Sequence, residues 1–204
     1  LDATLGLNGL PQSGTGQATL FTGANCAERV GRHFGPFPHS ATHEVLDHEN
    51  LFHRVQALAP GPEAAAFANA FPPPFFEATS RRWTVTTRCC AGADVPLRGI
   101  EALRAHRAVP ADLTGETWRK ALDLDVPLQS PPQTAEALLQ THREHRVTLF
   151  EYFQTDKVGH RRTDTSASTL LSRLNQFLGT LLDRLDAAED TLLVTSDHVN
   201  LETT

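Results

Sequence analysis

The sequence predicts an α/β fold with a largely parallel sheet flanked by helices, and three observations carry that expectation. A glycine-punctuated turn, Gly9-Leu10-Pro11-Gln12-Ser13-Gly14-Thr15-Gly16-Gln17, leads into a short apolar run closed by Gly23. That is the pattern of a strand, a tight turn and a helix with a C-terminal glycine. Two apolar runs at 147–153 and 191–195 flank a leucine-rich helical pattern over 166–188, and strand, helix, strand in that order describes a right-handed crossover in a parallel sheet. The small and apolar run 64–71, bounded by Gly61-Pro62 and Pro72-Pro73-Pro74, reads as one more buried strand.

In chain order, Ser13 falls at the N-terminus of the first helix, where unpaired backbone N–H groups and the helix dipole favour an anion. The alternative is that Ser13 or Thr15 serves only as a cap. Residues 24–40 carry Gly31, Gly35, Pro36 and Pro38 and are expected as loop; if that loop passes over the Ser13 turn, Arg32 and His33 reach a substrate phosphate or sugar, and the alternative is a surface loop with ordinary charges. Over 41–58, Val45, Leu46, Phe52, Val55 and Leu58 recur at roughly helical spacing with a break at 47–50, giving two short helices or one broken one. His39, His43, His48 and His53 are read as solvent-facing, and the Asp47-His48 dipeptide as surface.

The segment 75–130 is irregular, with a strand expected at 83–87 and short helices at 97–105 and 114–122. A lid or cap-like insertion beside the core accounts for it, and packed loop structure would look the same. Ser130-Pro131 begins a helix through Ala135, Leu138 and Leu139 that ends near His145. In the last helix, Leu170, Leu171, Leu174, Phe177, Leu178, Leu181, Leu182 and Leu185 form one broad apolar face.

Composition narrows the function classes. A chain of 204 residues with 40% hydrophobic content can bury one sizeable core, so a single domain over 1–204 is expected. Net charge is −6 and the arginines are scattered, which argues against a nucleic-acid partner. Arg81-Arg82 and Arg161-Arg162 read as solvated surface. No apolar run approaches membrane-spanning length, so no membrane partner is expected. With no signal-peptide pattern either, the expected location is the cytoplasm, where Cys26, Cys89 and Cys90 stay reduced. The chain begins at Leu1 and contains no methionine, and it is expected to be a piece truncated at both ends.

Chemistry concentrates at the ends of the two crossover strands. The first ends at Gln154-Thr155-Asp156-Lys157-Val158-Gly159-His160 and the second at Ser196-Asp197-His198. In open α/β sheets the ligand site lies at the carboxyl ends of strands, so Asp156, His160, Asp197 and His198 are expected at one edge. Carboxylate and imidazole together suit zinc, manganese or iron, and two such ions can clamp the oxygens of a phosphoryl transfer.

These stretches resemble a known group. Leu10-Pro11-Gln12-Ser13-Gly14-Thr15-Gly16-Gln17, Asp156-Lys157-Val158-Gly159-His160 and Ser196-Asp197-His198-Val199-Asn200 are similar to the nucleophile and metal motifs of the alkaline phosphatase superfamily, closest to its cofactor-independent phosphoglycerate mutase and phosphopentomutase branch. The chain has Gln17 where the mutases carry a histidine and Val199 where a glycine is usual, departures that bear on the substrate more than on the reaction class. The resemblance implies an alkaline-phosphatase-like core, with Ser13 as nucleophile and ligand of one metal ion together with Asp197 and His198. Asp156 and His160 would hold a second, both ions being manganese or zinc.

The implied activity is metal-dependent transfer or hydrolysis of the phosphoryl group of a small phosphomonoester through phosphoserine, as phosphatase or phosphomutase. Gln12, Thr15, Gln17, Arg32 and His33 are the expected substrate-binding residues. The alternative is a non-catalytic or truncated remnant of the fold that binds metal only.

Overall fold

Short-range capping sets the helix ends in the first part of the chain. In the computed structural model, which describes residues 2–61, 64–78, 83–160, 162–163 and 165–198, α1 (Ser13–Thr22) stops where Gly23 turns left-handed at φ 72° and donates its N–H to the Thr19 carbonyl. The expected strand before it is not formed: residues 2–12 run through turns and bends. The expected loop 24–40 holds a helix, α2 (Cys26–Val30), because the Asn25 side chain accepts the Glu28 N–H and Gly31 closes the other end. A 3₁₀ turn (Ser40–Thr42), α3 (His43–His48) and α4 (Leu51–Leu58) follow, two helices broken at Asn50. Asn50 is fully buried, accepting from the Phe52 N–H and donating to the Leu46 and Cys89 carbonyls. The chain then passes through strand β1 (Ala65–Phe67) and α5 (Pro73–Glu77) before α6 (Val85–Gly92). The strand expected at 83–87 is instead the start of this helix: the Thr84 hydroxyl accepts the Thr87 N–H, and the cap outweighs the β preference of the Thr-Val-Thr-Thr run.

The chain divides into two units, the first comprising Leu1–Ala65, Thr79–Pro96 and Val194–Thr204 and the second Ala66–Ala78 and Leu97–Leu193. The expected insertion 75–130 is thus shared between them. In the first unit, Phe21 and Phe52 meet at a ring-centroid distance of 6.3 Å, and Leu46, Val85 and Cys89 of the same unit are fully buried. At Gly92 a Cβ would stand 2.5 Å from the Asp47 carbonyl oxygen, so glycine lets α6 approach α3. The histidines of this region are not all solvent-facing. Only His48 is exposed, whereas His39 accepts the Ala41 N–H and the His53 ring bonds the Asp47 carbonyl. Asp47 itself pairs with Arg88. Arg81, Arg82 and Arg161 lie outside the described residues.

The second unit continues with α7 (Ile100–Arg104), α8 (Glu116–Leu122), α9 (Pro131–Arg143), strand β2 (Val147–Leu149), α10 (Gln154–Gly159) and α11 (Ala167–Arg184). Ser130 and Gln133 form a reciprocal capping box on α9, and the Ser166 hydroxyl caps α11. Its core joins Ala68, Val109, Leu113, Ala135, Leu139, Phe177 and Leu181. Leu171 and Leu182 depart from the broad leucine face and stand 52% and 67% exposed, so the buried stripe is narrower than the leucine pattern.

Largely helical structure replaces the expected large sheet. Among the described residues, β1 and β2 form a two-stranded parallel sheet. Beyond β2, Asn69 substitutes for a strand: its side chain donates to the Glu151 carbonyl and accepts the Glu151 N–H. The expected strand at 191–195 is not formed, and its side chains are exposed, Leu193 at 82%. An apolar run becomes a strand only against a ladder partner, and among the described residues none pairs with it. The strand–helix–strand crossover is therefore not completed.

Candidate functional site

Ser13 is the first residue of α1 and is half-buried. The loop through Phe34 and Gly35 lies across this helix start. Thr15 is fully buried, its N–H donating to the Phe34 carbonyl at 2.9 Å and its hydroxyl accepting the Phe34 N–H at 3.2 Å. The Gly16 N–H donates to the Gln12 carbonyl at 2.9 Å. The Gly16 bond is the first of the helix itself, so one of the first-turn donors expected to be open to an anion, the Thr15 N–H, is already used. Gly14 faces the Phe34 and Phe37 carbonyls, and a Cβ there would stand 2.6 Å from the Phe34 oxygen.

The Asp197-His198 motif returns to the same helix turn. At Gly16, one helical turn beyond Ser13, a Cβ would lie 2.5 Å from the Asp197 carbonyl oxygen, so the two backbones touch where glycine permits it. Asp197 Oδ1 lies 2.9 Å from His198 Nδ1, and the His198 side chain is 8% exposed. Burial by itself raises the Asp197 carboxyl. The hydrogen bond and charge of His198, the residue's own backbone N–H and a bond from the Gln17 side chain together outweigh it and hold the group below the ordinary carboxylate range. Gln17 therefore serves Asp197, and Thr15 holds the Phe34 loop.

Gln12, Arg32 and His33 line one cleft of about 480 Å³ together with Asn8, Gly9, Leu10, Phe34 and Gly35. The Arg32 guanidinium lies 5.6 Å from the centre of the Phe34 ring, and His33 Nε2 is 3.4 Å from the Leu7 carbonyl oxygen.

Asp156 and His160 belong to the second unit. Asp156 sits in the first turn of α10 and His160 follows its last residue, with Nε2 3.4 Å from Asp156 Oδ1. They are therefore an i, i+4 helix pair, and no strand delivers them directly.

Hydroxyl, carboxylate and imidazole are the donor types that zinc and manganese accept. Among the described residues, however, no three His, Cys, Asp or Glu side chains gather as a metal-binding group. The donor chemistry fits the expected ions, and the donor number at each place is low.

Two contributors escape a reading of motifs. Gly16 matters as a point of backbone contact, and Gly35 as the residue whose Cβ would stand 3.1 Å from the Gly14 nitrogen and 3.2 Å from that of Ser13. The available signal was the glycine itself, three residues after the serine in one case and between Phe34 and Pro36 in the other.

A helix that begins at a serine thus has the backbone of an Asp-His pair seated against the glycine three residues further on. The family model of the Metalloenzyme superfamily matches residues 121–204, a span that includes Asp156, His160, Asp197 and His198 and not the Ser13 turn. No curated protein and no solved structure matches the chain. No helix among the described residues is long and apolar enough to cross a membrane.

Proposed function

We propose that the protein is a metal-dependent phosphatase or phosphomutase that moves the phosphoryl group of a small phosphomonoester through a phosphoserine at Ser13. The observation that supports the reading is the seating of Asp197 against Gly16, which lays an Asp-His pair on the helix turn that begins with Ser13. The match to the Metalloenzyme superfamily adds to it.

In this reading Ser13 Oγ forms the new P–O bond as the ester P–O bond breaks, the serine proton passes to solvent and the alcohol leaves with one. Water, or the alcohol itself, then takes the group from the serine. His198, with a lesser bond from Gln17, keeps Asp197 ionised, Thr15 holds the covering loop, and Gln12, Arg32 and His33 bind the rest of the substrate. A divalent ion, zinc or manganese, held by Ser13, Asp197 and His198 would lower the serine pKa and offset charge on the phosphoryl oxygens, and Asp156 and His160 would hold a second ion. The same reading takes 1–204 as one metalloenzyme domain with 75–130 as a lid-like insertion.

Incubation with an aryl phosphate and manganese or zinc, acid quench and peptide mass spectrometry test it. Phosphate is expected on the peptide containing Ser13 and absent from Ser13→Ala. Label on Thr15, or label that survives Ser13→Ala, would sink the assignment.

A second reading, a remnant that binds metal without turnover, draws on the absence of a three-donor group among the described residues. Metal uptake with no phosphate release separates it from the enzyme.

A further inference from the structure

We infer that residues 191–195 are a self-docking edge through which two copies of this chain pair, the segment of one lying antiparallel to the same segment of the other with Leu193 on the two-fold axis. The pairing is independent of phosphoryl transfer.

Residues 191–196 lie outside every helix, turn and ladder, and all of them are exposed, Leu193 at 82% and Val194 at 67%. Among the described residues, no N–H or carbonyl of 191–195 makes a backbone–backbone hydrogen bond. An exposed run of unpaired backbone is a template for a strand supplied by another chain. Natural edges are blunted by lysine, proline or a bulge, and Thr191-Leu192-Leu193-Val194-Thr195 carries neither charge nor proline. Its leucines, valine and threonines suit a pleated, half-buried surface that nothing in its own chain supplies.

The run itself points to the occupant, because it reads almost the same in both directions. Antiparallel pairing about Leu193 sets Leu193 against Leu193, Leu192 against Val194 and Thr191 against Thr195, cross-strand pairs that favour a ladder. The same patch serves both copies, which is the self-complementary interface of a two-fold dimer. Parallel pairing in register would instead stack Asp190 on Asp190 and Asp197 on Asp197. The antiparallel register sets Asp190 against Ser196, and the turn before it, closed by the Asp190 N–H on the Asp186 carbonyl at 2.7 Å, ends the ladder there. Each flanking carboxylate is also paired within its own chain, Asp190 with His142 at 2.8 Å and Asp197 with His198 at 2.9 Å. Those pairs reduce the repulsion between two chains of net charge −6.

Sedimentation velocity over a concentration series tests the pairing. Five residues a side bury less than the ~1,200 Å² at which stable interfaces begin, so half-dimerisation is expected at about 50 µM. Leu193→Lys, which sets two ammonium groups together on the axis, should raise that midpoint about tenfold or more. Leu182→Lys, on α11 and 67% exposed, should leave it unchanged. Mild oxidation of cysteine variants reads the register, and Cys26, Cys89 and Cys90 are fully buried and do not compete. Leu193→Cys should cross-link to itself, since opposed residues of an antiparallel pair stand about 4.5–5.5 Å apart at Cα. Thr191→Cys alone should not, because its counterpart in the other copy lies four residues along the ladder, about 14 Å away. A mixture of Thr191→Cys and Thr195→Cys should. A chain that stays monomeric well above the expected midpoint, a dimer indifferent to Leu193→Lys, or Thr191→Cys linking to itself as readily as Leu193→Cys overturns the inference.

Discussion

At Gly16 a Cβ would stand 2.5 Å from the Asp197 carbonyl oxygen, so Gly16→Ala must displace either α1 or the 196–198 segment. The chain offers an internal control, because Asp47-His48 and Asp197-His198 are the same dipeptide in different settings. Asp47 is taken up by Arg88 and His48 is exposed on α3. Asp197 is held by His198 and Gln17 against the turn that begins at Ser13. Gly16→Ala and Asp197→Asn are expected to lower bound metal and phosphoserine together, whereas His48→Ala leaves both at wild-type levels. Metal analysis after dialysis, paired with the phosphopeptide assay, checks this. Equal losses from His48→Ala would show that the centre lies elsewhere.

At the scale of elements, Asp112 organises the start of α8. Its carboxylate accepts the N–H groups of Thr114, Gly115 and Thr117 while the residue is 9% exposed. Burial by itself raises this carboxyl, and the bonds from Thr117, Gly115 and Thr114 outweigh it and lower the pKa. A carboxyl depressed by folding contributes stability at pH above its unfolded value of about 4, and the contribution is lost as the pH falls through the folded value. Asp112→Asn should cost about 1–3 kcal/mol at pH 7 and flatten the acid limb of the stability profile, read by urea unfolding across a pH series. On α11, Leu181 is 3% exposed and Leu182 67%. Leu181→Ala should cost about 2–5 kcal/mol and Leu182→Ala less than about 0.5 in the same measurement, although the two leucines are neighbours in one apolar run.

For the whole molecule, the donor count sets the expected metal content. Tightly held catalytic zinc has at least three protein ligands, and among the described residues no such group of His, Cys, Asp or Glu is assembled. The 204-residue chain should therefore keep fewer than two ions through dialysis and turn over an aryl phosphate slowly. Two retained ions with brisk turnover would mean that other groups complete both places. The sequence by itself determines what acts over a few residues. Gly23, Ser130 with Gln133, and Ser166 mark helix ends because a cap bonds within its own turn, and 64–71 reads as buried because it is almost wholly apolar. The site residues are legible as types and spacings for the same local reason. Tertiary structure alone decides that 191–195 stands exposed, since a strand exists only through a neighbour its own residues do not specify. It alone lays the Phe34 carbonyl on Thr15 and the Asp197 carbonyl on Gly16, because contacts between distant segments arise from how helices pack and leave no periodic trace in the chain.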